Sequence, residues 1–248
     1  MSDIPHIIHY CWFGGNPLPK SALKCIASWR KFLPDYEIRE WNESNYDVRK
    51  IPYIAEAYEA KKYAFVSDYA RFDILHQLGG VYFDTDVELI KPIDDILANG
   101  PSMGCEADGG EGAAIMVNPG LGLSALPQMP LFAQVLEQYR QAHFLKPDGT
   151  LDITTIVTRT TGVMQANGLQ NIFGQQNVAG MEIYPREYFN PLNSNTGKLD
   201  VTDRTRSIHW YSKTWYTPMG KLKSKLTRPF RRVFGENCFA WMKKLLGR

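Results

Sequence analysis

Apolar positions along this chain alternate at strand spacing, recur at helix spacing, then alternate again. Ile4 to Phe13, rich in Ile, Tyr, Trp and Phe, reads as a first strand that Gly14-Gly15-Asn16-Pro17 breaks. Ser21 to Phe32 sets Leu23, Ile26, Ala27 and Arg30 at helix spacing, and Pro34-Asp35 ends it. Tyr36 to Trp41 alternates like a second strand. This β–α–β opening predicts an α/β domain on a parallel sheet. Ile54 to Leu78 is helix-forming, with Gly79-Gly80 as its stop; Ser67 or Asp68 is a candidate cap that would divide it in two.

The pattern then weakens. Residues 100–130 are rich in Gly and Pro around a short apolar run, Ala113 to Val117, and read as loop, strand, loop: an acceptor-facing flap. Pro130 to His143 reads as a helix, as does Asp152 to Asn167 with Asp152 or Thr154 as its cap. Glu182 to Tyr184 and Ser207 to Trp215 read as a short strand and as a strand entering an aromatic loop.

The candidate chemistry sits in Gly79-Gly80-Val81-Tyr82-Phe83-Asp84-Thr85-Asp86-Val87-Glu88. Val81 to Phe83 reads as a buried strand, and side chains two apart on a strand point the same way, so Asp84 and Asp86 are expected side by side. Ligands of α/β proteins bind at such strand ends. Two adjacent carboxylates repel, and burial raises that cost; a divalent cation relieves it. Hard oxygen ligands suit Mg²⁺ or Mn²⁺, which keep open positions for phosphates. Three readings compete: a solvated surface turn, a phosphatase or phosphotransferase with an aspartate nucleophile, and a transferase using a nucleotide-sugar. The apolar run argues against the first. Glu88 at the fifth position and the motif's place far from the N-terminus argue against the second. A non-catalytic sugar-binding protein is a further alternative, against which an intact D-x-D counts. Asp68 and Arg71, three apart, share a helix face; they form an ordinary ion pair or border the metal site.

Composition changes the picture in two places. The four cysteines, Cys11, Cys25, Cys105 and Cys238, form no C-x-x-C pair, so reduced thiols in the cytoplasm are expected. No secretory leader and no apolar run of spanning length is evident. The net charge of +2 over 248 residues conceals an asymmetry. Residues 221–248 hold nine Lys or Arg and one acid, Glu236, whereas the remainder holds 19 basic and 25 acidic residues. Leu222, Leu226, Phe230, Val233 and Phe234 fall at helix spacing, followed by Phe239, Trp241, Met242, Leu245 and Leu246. Pro229 is expected to split this tail into two helices. Lys221, Lys223, Lys225, Arg228, Arg231 and Arg232 flank the first apolar set, and Lys243 and Lys244 the second. Such a tail reads as a membrane-interface element on an anionic surface rather than a nucleic-acid contact. The expected division is a domain over 1–216 and a tail over 217–248.

Four segments, in order, resemble glycosyltransferase family 32, which includes capsular-polysaccharide transferases and is related to the large clostridial glucosylating toxins. They are Ile8-His9-Tyr10-Cys11-Trp12-Phe13-Gly14-Gly15, Ser67-Asp68-Tyr69-Ala70-Arg71, Gly79 to Asp86, and Ile208-His209-Trp210-Tyr211-Ser212-Lys213-Thr214-Trp215. The resemblance covers roughly residues 4–216 and implies a GT-A fold and retention of anomeric configuration. It implies that Trp12 stacks on the nucleotide base, although core packing is its other reading. It gives Asp68 to ribose or base, Arg71 to the phosphates and donor sugar, and Tyr82 to the nucleotide pocket. Asp84 resembles the donor-sugar and ribose contact, and Asp86 the metal ligand. His209 resembles a third ligand favouring Mn²⁺, or is a satisfied core histidine; the toxins carry another residue type there. Ser212 and Trp215 resemble a loop closing over the diphosphate. The implied activity is metal-dependent transfer of a hexose, expected from a UDP-sugar, to a glycan acceptor, lipid-linked, in surface polysaccharide synthesis. The expected location is cytoplasmic, on the inner face of the cell membrane. No residue stands out as a nucleophile, so same-face attack is the expected route to retention, a covalent intermediate the other.

Overall fold

A computed structural model describes residues 4–110, 112–212, 218–235 and 238, with side chains except at 218–225. The opening unit is β1 (Ile7–Cys11), α1 (Lys20–Phe32) and β2 (Glu37–Trp41), with β1 and β2 paired in parallel. Two helices follow, α2 (Pro52–Glu59) and α3 (Tyr63–Leu78), then β3 (Gly80–Tyr82) beside β1, also parallel. The helix break expected at Ser67 or Asp68 falls instead at residues 60–62, where Lys61 takes a φ of +56°. Asp68 cannot cap a helix here because it lies inside α3, which begins at Tyr63, within a run of buried residues from Asp68 to Leu75. Gly79, at φ +65°, ends α3 by donating its N–H to Leu75 O at 2.8 Å.

The chain continues through β4 (Val87–Leu89), α4 (Asp94–Leu97), β5 (Ser102–Ala107) and β6 (Met116–Ala125). Then come α5 (Pro130–Arg140), α6 (Ile156–Ala166), β7 (Gln176–Val178), β8 (Met181–Tyr184), α7 (Arg186–Phe189), β9 (Ser207–His209) and α8 (Pro218–Phe234). Seven strands form one sheet in the order β2-β1-β3-β6-β5-β8-β7, and β4 pairs with β9 in a separate ribbon. Within the large sheet only β6 and β7 run against the rest. The sheet is thus mostly parallel, as expected.

Alternation along the strands divides the core. Ile8 and Tyr10 of β1, with Val81 and Phe83, face α1 and α4, whereas Cys11 and Tyr82 face the layer of α2, α3, α5 and α6. His9 is fully buried between these elements. Its Nε2 faces Gly79 O at 3.0 Å and its Nδ1 accepts from Trp41 Nε1 at 3.1 Å. Burial drops its pKa to about 4, so the imidazole is neutral.

Three other expectations are corrected. The segment 100–130 is not a flap: it supplies β5 and the central strand β6, through Pro119-Gly120-Leu121-Gly122. The cap of α6 is Thr155, whose side chain accepts from Thr158 N–H, while Asp152 bonds Thr154 and Arg159. Pro229 lies inside one continuous helix, α8. Lacking an N–H, it forfeits one backbone hydrogen bond of that helix. Phe239, Trp241, Met242, Lys243, Lys244, Leu245 and Leu246 lie outside the described residues, as do the side chains of Lys221, Leu222, Lys223 and Lys225.

Candidate active site

β3 ends at Tyr82, and the chain turns at once. Phe83 N–H donates to His9 O at 3.2 Å, Asp84 N–H to Gly120 O at 3.1 Å, and Val87 N–H closes the turn on Asp84 O at 3.0 Å. Asp84 and Asp86 therefore sit in a turn, not at alternate positions of one strand as the sequence pattern predicts. Their carboxylates nevertheless converge, for two separate reasons.

Asp84 is held by the main domain. Arg71 of α3, with a side chain only 4% exposed, bonds Asp68 Oδ1 at 2.8 Å and Asp84 Oδ1 at 3.3 Å. Its guanidinium lies over the Tyr82 ring at 4.9 Å, and Tyr82 Oη donates to Asp84 Oδ1 at 3.2 Å. Burial pushes the Asp68 carboxyl up to about 7 against the pull of Arg71. The wall opposite is Gly120. A Cβ there would lie 2.0 Å from Asp84 Oδ2, so only glycine admits the carboxylate. Sequence reading missed Gly120 because Gly and Pro signal loops more often than central strands.

Asp86 is held by the end of the domain. Antiparallel pairing of β4 with β9 sets His209 across from Val87. His209 Nε2 then meets Asp86 Oδ1 at 3.0 Å, and Ser212 N–H donates to Asp86 Oδ2 at 2.7 Å. Trp210 N–H donates to Asp86 O at 2.9 Å, and its indole N–H to Glu88 Oε2 at 2.8 Å. Burial works against both charges, but their attraction and the Ser212 N–H outweigh it. The Asp86 carboxyl is held below its ordinary range and the His209 imidazole above. His209 is buried yet unsatisfied, because its Nδ1 has no partner among the described residues.

Ligand atoms of Asp84, Asp86 and His209 all lie within 4.8 Å of one another. Two carboxylates and one imidazole suit a divalent cation of borderline character such as Mn²⁺, so the residues present fit a metal.

Trp12 follows β1, which runs parallel to β3, so it lies at the same edge of the sheet as Asp84. Its indole is half-buried and donates to Asn16 O at 2.6 Å. Trp215 lies outside the described residues. Beyond the quoted motifs, Glu106, Asn118 and Asn190 also reach this edge. Asn118 donates to Glu106 Oε2 and accepts from Gly120 N–H, both at 2.8 Å. No spacing in the sequence signals them, since they meet only through strand pairing.

Residues 19–103 match the family model described as a glycosyltransferase sugar-binding region containing a DXD motif. Inositol phosphoceramide mannosyltransferase 3 of Schizosaccharomyces pombe is 30% identical over 98 residues, covering 38% of this chain and 27% of that protein. The initiation-specific alpha-1,6-mannosyltransferase of Candida albicans is 32% identical over 88 residues, covering 33% of this chain and 23% of that protein. The chain thus spans only these fractions of the curated relatives. Among solved structures, a glycosyltransferase involved in glycosylating the major capsid of PBCV-1 superposes with a TM-score of 0.52 at 11% identity. That match covers 90% of this chain and 99% of the other. The PaToxG glycosyltransferase gives 0.50 at 16% identity, covering 66% and 69%. At such identities the likeness is one of fold, and the fold is GT-A.

Proposed function

We propose that the chain, whose residues 19–103 match the DXD-containing glycosyltransferase sugar-binding region, acts as a member of glycosyltransferase family 32 and transfers a hexosyl group from a nucleotide-sugar to a glycan acceptor. The observation that carries this reading is the convergence of Asp84, Asp86 and His209 beside a buried Arg71. Asp84, Asp86 and His209 would hold a divalent cation, which would supply Lewis-acid stabilisation to a diphosphate leaving group. The chain's own residues supply the rest. Arg71 presents a planar, permanently charged donor that Asp68, Asp84 and Tyr82 hold in one orientation, and such fixed charge counts most where negative charge develops. Tyr82 and Asp68 line the nucleotide side, Trp12 stacks on the base, and Ser212 closes over the diphosphate. Asp84 faces the donor sugar and ribose. Retention proceeds by same-face attack, the acceptor hydroxyl passing its proton to the departing phosphate oxygen as the new C–O bond forms.

The donor class is a UDP- or GDP-hexose. The mannosyltransferase relatives support a mannosyl group, and the family resemblance supports UDP. A release assay for nucleoside diphosphate, run with Mn²⁺ across UDP- and GDP-hexoses, tests the reading. Turnover with none of them, or turnover that EDTA leaves untouched, counts against it.

The acceptor in this reading is lipid-borne and serves surface polysaccharide synthesis. The chain works in the cytoplasm on the inner face of the cell membrane, with 1–216 as catalytic domain and 217–248 as membrane-associating tail. Two observations support it. One relative is named for a lipid, inositol phosphoceramide. On α8, Leu226, Phe230, Val233 and Phe234 are exposed, while Arg228 and Arg231 bond Ser194 O and Asn195 Oδ1 at 3.2 Å. Among the described residues no helix is long and apolar enough to cross a membrane. Deleting 221–248 is expected to release the protein from phosphatidylserine vesicles while sparing donor hydrolysis; equal vesicle binding with and without the tail refutes this.

A further inference from the structure

Past the D-x-D turn, the carboxyl edge of the sheet carries polar groups that the cation cluster and Arg71 leave unused. β5 runs in the direction of β1 and β3, so Glu106 and Asp84 emerge at one edge. The two are mechanically linked: Asn118, 7% exposed, bonds Glu106 Oε2 on one side and Gly120 N–H on the other. Gly120 in turn lies against Asp84. Glu106 is half-exposed, and its second carboxylate oxygen accepts no hydrogen bond from the described residues.

Asn190, 1% exposed, lies beside it. Its Nδ2 donates to Glu106 O at 3.3 Å and to Tyr211 Oη at 2.7 Å, but its Oδ1 has no donor among the described residues. Tyr211 is held at φ +50° with its ring against His209, 4.1 Å between centroids. A non-glycine residue in this region carries strain that the surroundings must hold in place, and such strain gathers at functional sites. The open valences here are acceptors: a carboxylate oxygen and a buried amide oxygen. Both need hydrogen-bond donors. A phosphate brings further acceptors and negative charge; a polyol brings donors.

We propose that Glu106, with Asn190 and Tyr211 around it, forms a subsite for sugar hydroxyls in which the Glu106 carboxylate accepts a hydrogen bond from a hexosyl hydroxyl. The inference rests on the glycosyl-transfer reading. Hydroxyls of this chemistry belong to the hexose of the donor or to the acceptor glycan, and kinetics separate the two.

The test uses Glu106→Gln, which keeps an oxygen for Asn118, and Glu106→Asp, which keeps the charge and withdraws it by one methylene. Three quantities are read on the full chain: nucleoside diphosphate affinity by calorimetry, KM for the nucleotide-hexose, and KM for methyl α-D-mannopyranoside as acceptor probe. A ten- to hundredfold rise in nucleotide-hexose KM with unchanged nucleoside diphosphate affinity assigns the subsite to the donor hexose, the range following from loss of a hydrogen bond to a charged group. The same rise confined to the acceptor probe assigns it to the acceptor. In either case Glu106→Asp is expected to lose less than Glu106→Gln. Both KM values unchanged in an active Glu106→Gln enzyme overturn this inference alone. A wild-type chain that binds no nucleoside diphosphate overturns the transferase reading and this one with it.

Discussion

Asp84 and Asp86 stand two residues apart, yet they belong to different parts of the molecule. Asp84 is tied to Arg71, Tyr82 and Gly120, in the helix, strand and central strand of the main sheet. Asp86 is tied to His209, Trp210 and Ser212, more than 120 positions further along the chain. One carboxylate is fixed by deep packing, the other by a short ribbon and a strained loop. The D-x-D turn is therefore a joint between a rigid wall and a strap, and damage to either side should read differently.

The largest expected effect comes from the strap side. Asp86→Ala removes a ligand of the proposed cation and the anchor of residues 209–212, so turnover should fall on the order of a thousandfold. Mn²⁺ binding, followed by paramagnetic resonance, should fall with it. Retained Mn²⁺ affinity would show that the two carboxylates are not partners. On the wall side, Arg71→Lys keeps a charge but loses the planar fork between Asp68 and Asp84. A loss of a few hundredfold in kcat is expected, with Mn²⁺ affinity largely kept.

Gly120→Ala sharpens the comparison further. The added methyl would meet Asp84 Oδ2 and leave the Asp86–His209 contact alone. A displacement of an ångström or so in a reacting group costs about a hundredfold. Wild-type kcat in this variant would mean that Asp84 has no demanding placement. The smallest effect is expected at the far end of the wall. Trp12→Ala should raise the donor dissociation constant about tenfold, from the usual worth of base stacking, with the fold intact by circular dichroism. Unfolding with unchanged affinity in the folded fraction would make Trp12 a core residue.

The same division decides what was legible beforehand. The β–α–β opening, α3 and the D-x-D announce themselves because their contacts are local: Asp68 and Arg71 share a helix face, and Tyr82 and Asp84 flank one turn. His209 and Ser212 could be singled out only through family resemblance, since nothing in spacing links residue 86 to residue 209. Glu106, Asn118 and Gly120 escaped notice because the chain around them is glycine- and proline-rich. Gly120 serves close approach, not turning: there is no room for a Cβ at that position. The turn at Asp84 was read as strand for the opposite reason, because Val81 to Phe83 is apolar enough to hide where pairing stops.

The pairing of β4 with β9 has a consequence in time. During synthesis, Asp84 finds Arg71 and Tyr82 as soon as the first hundred or so residues emerge, at about 5–20 residues per second. Asp86 must wait until residue 212 has cleared the ribosome. A nascent chain therefore carries a half-built D-x-D turn until β9 pairs with β4.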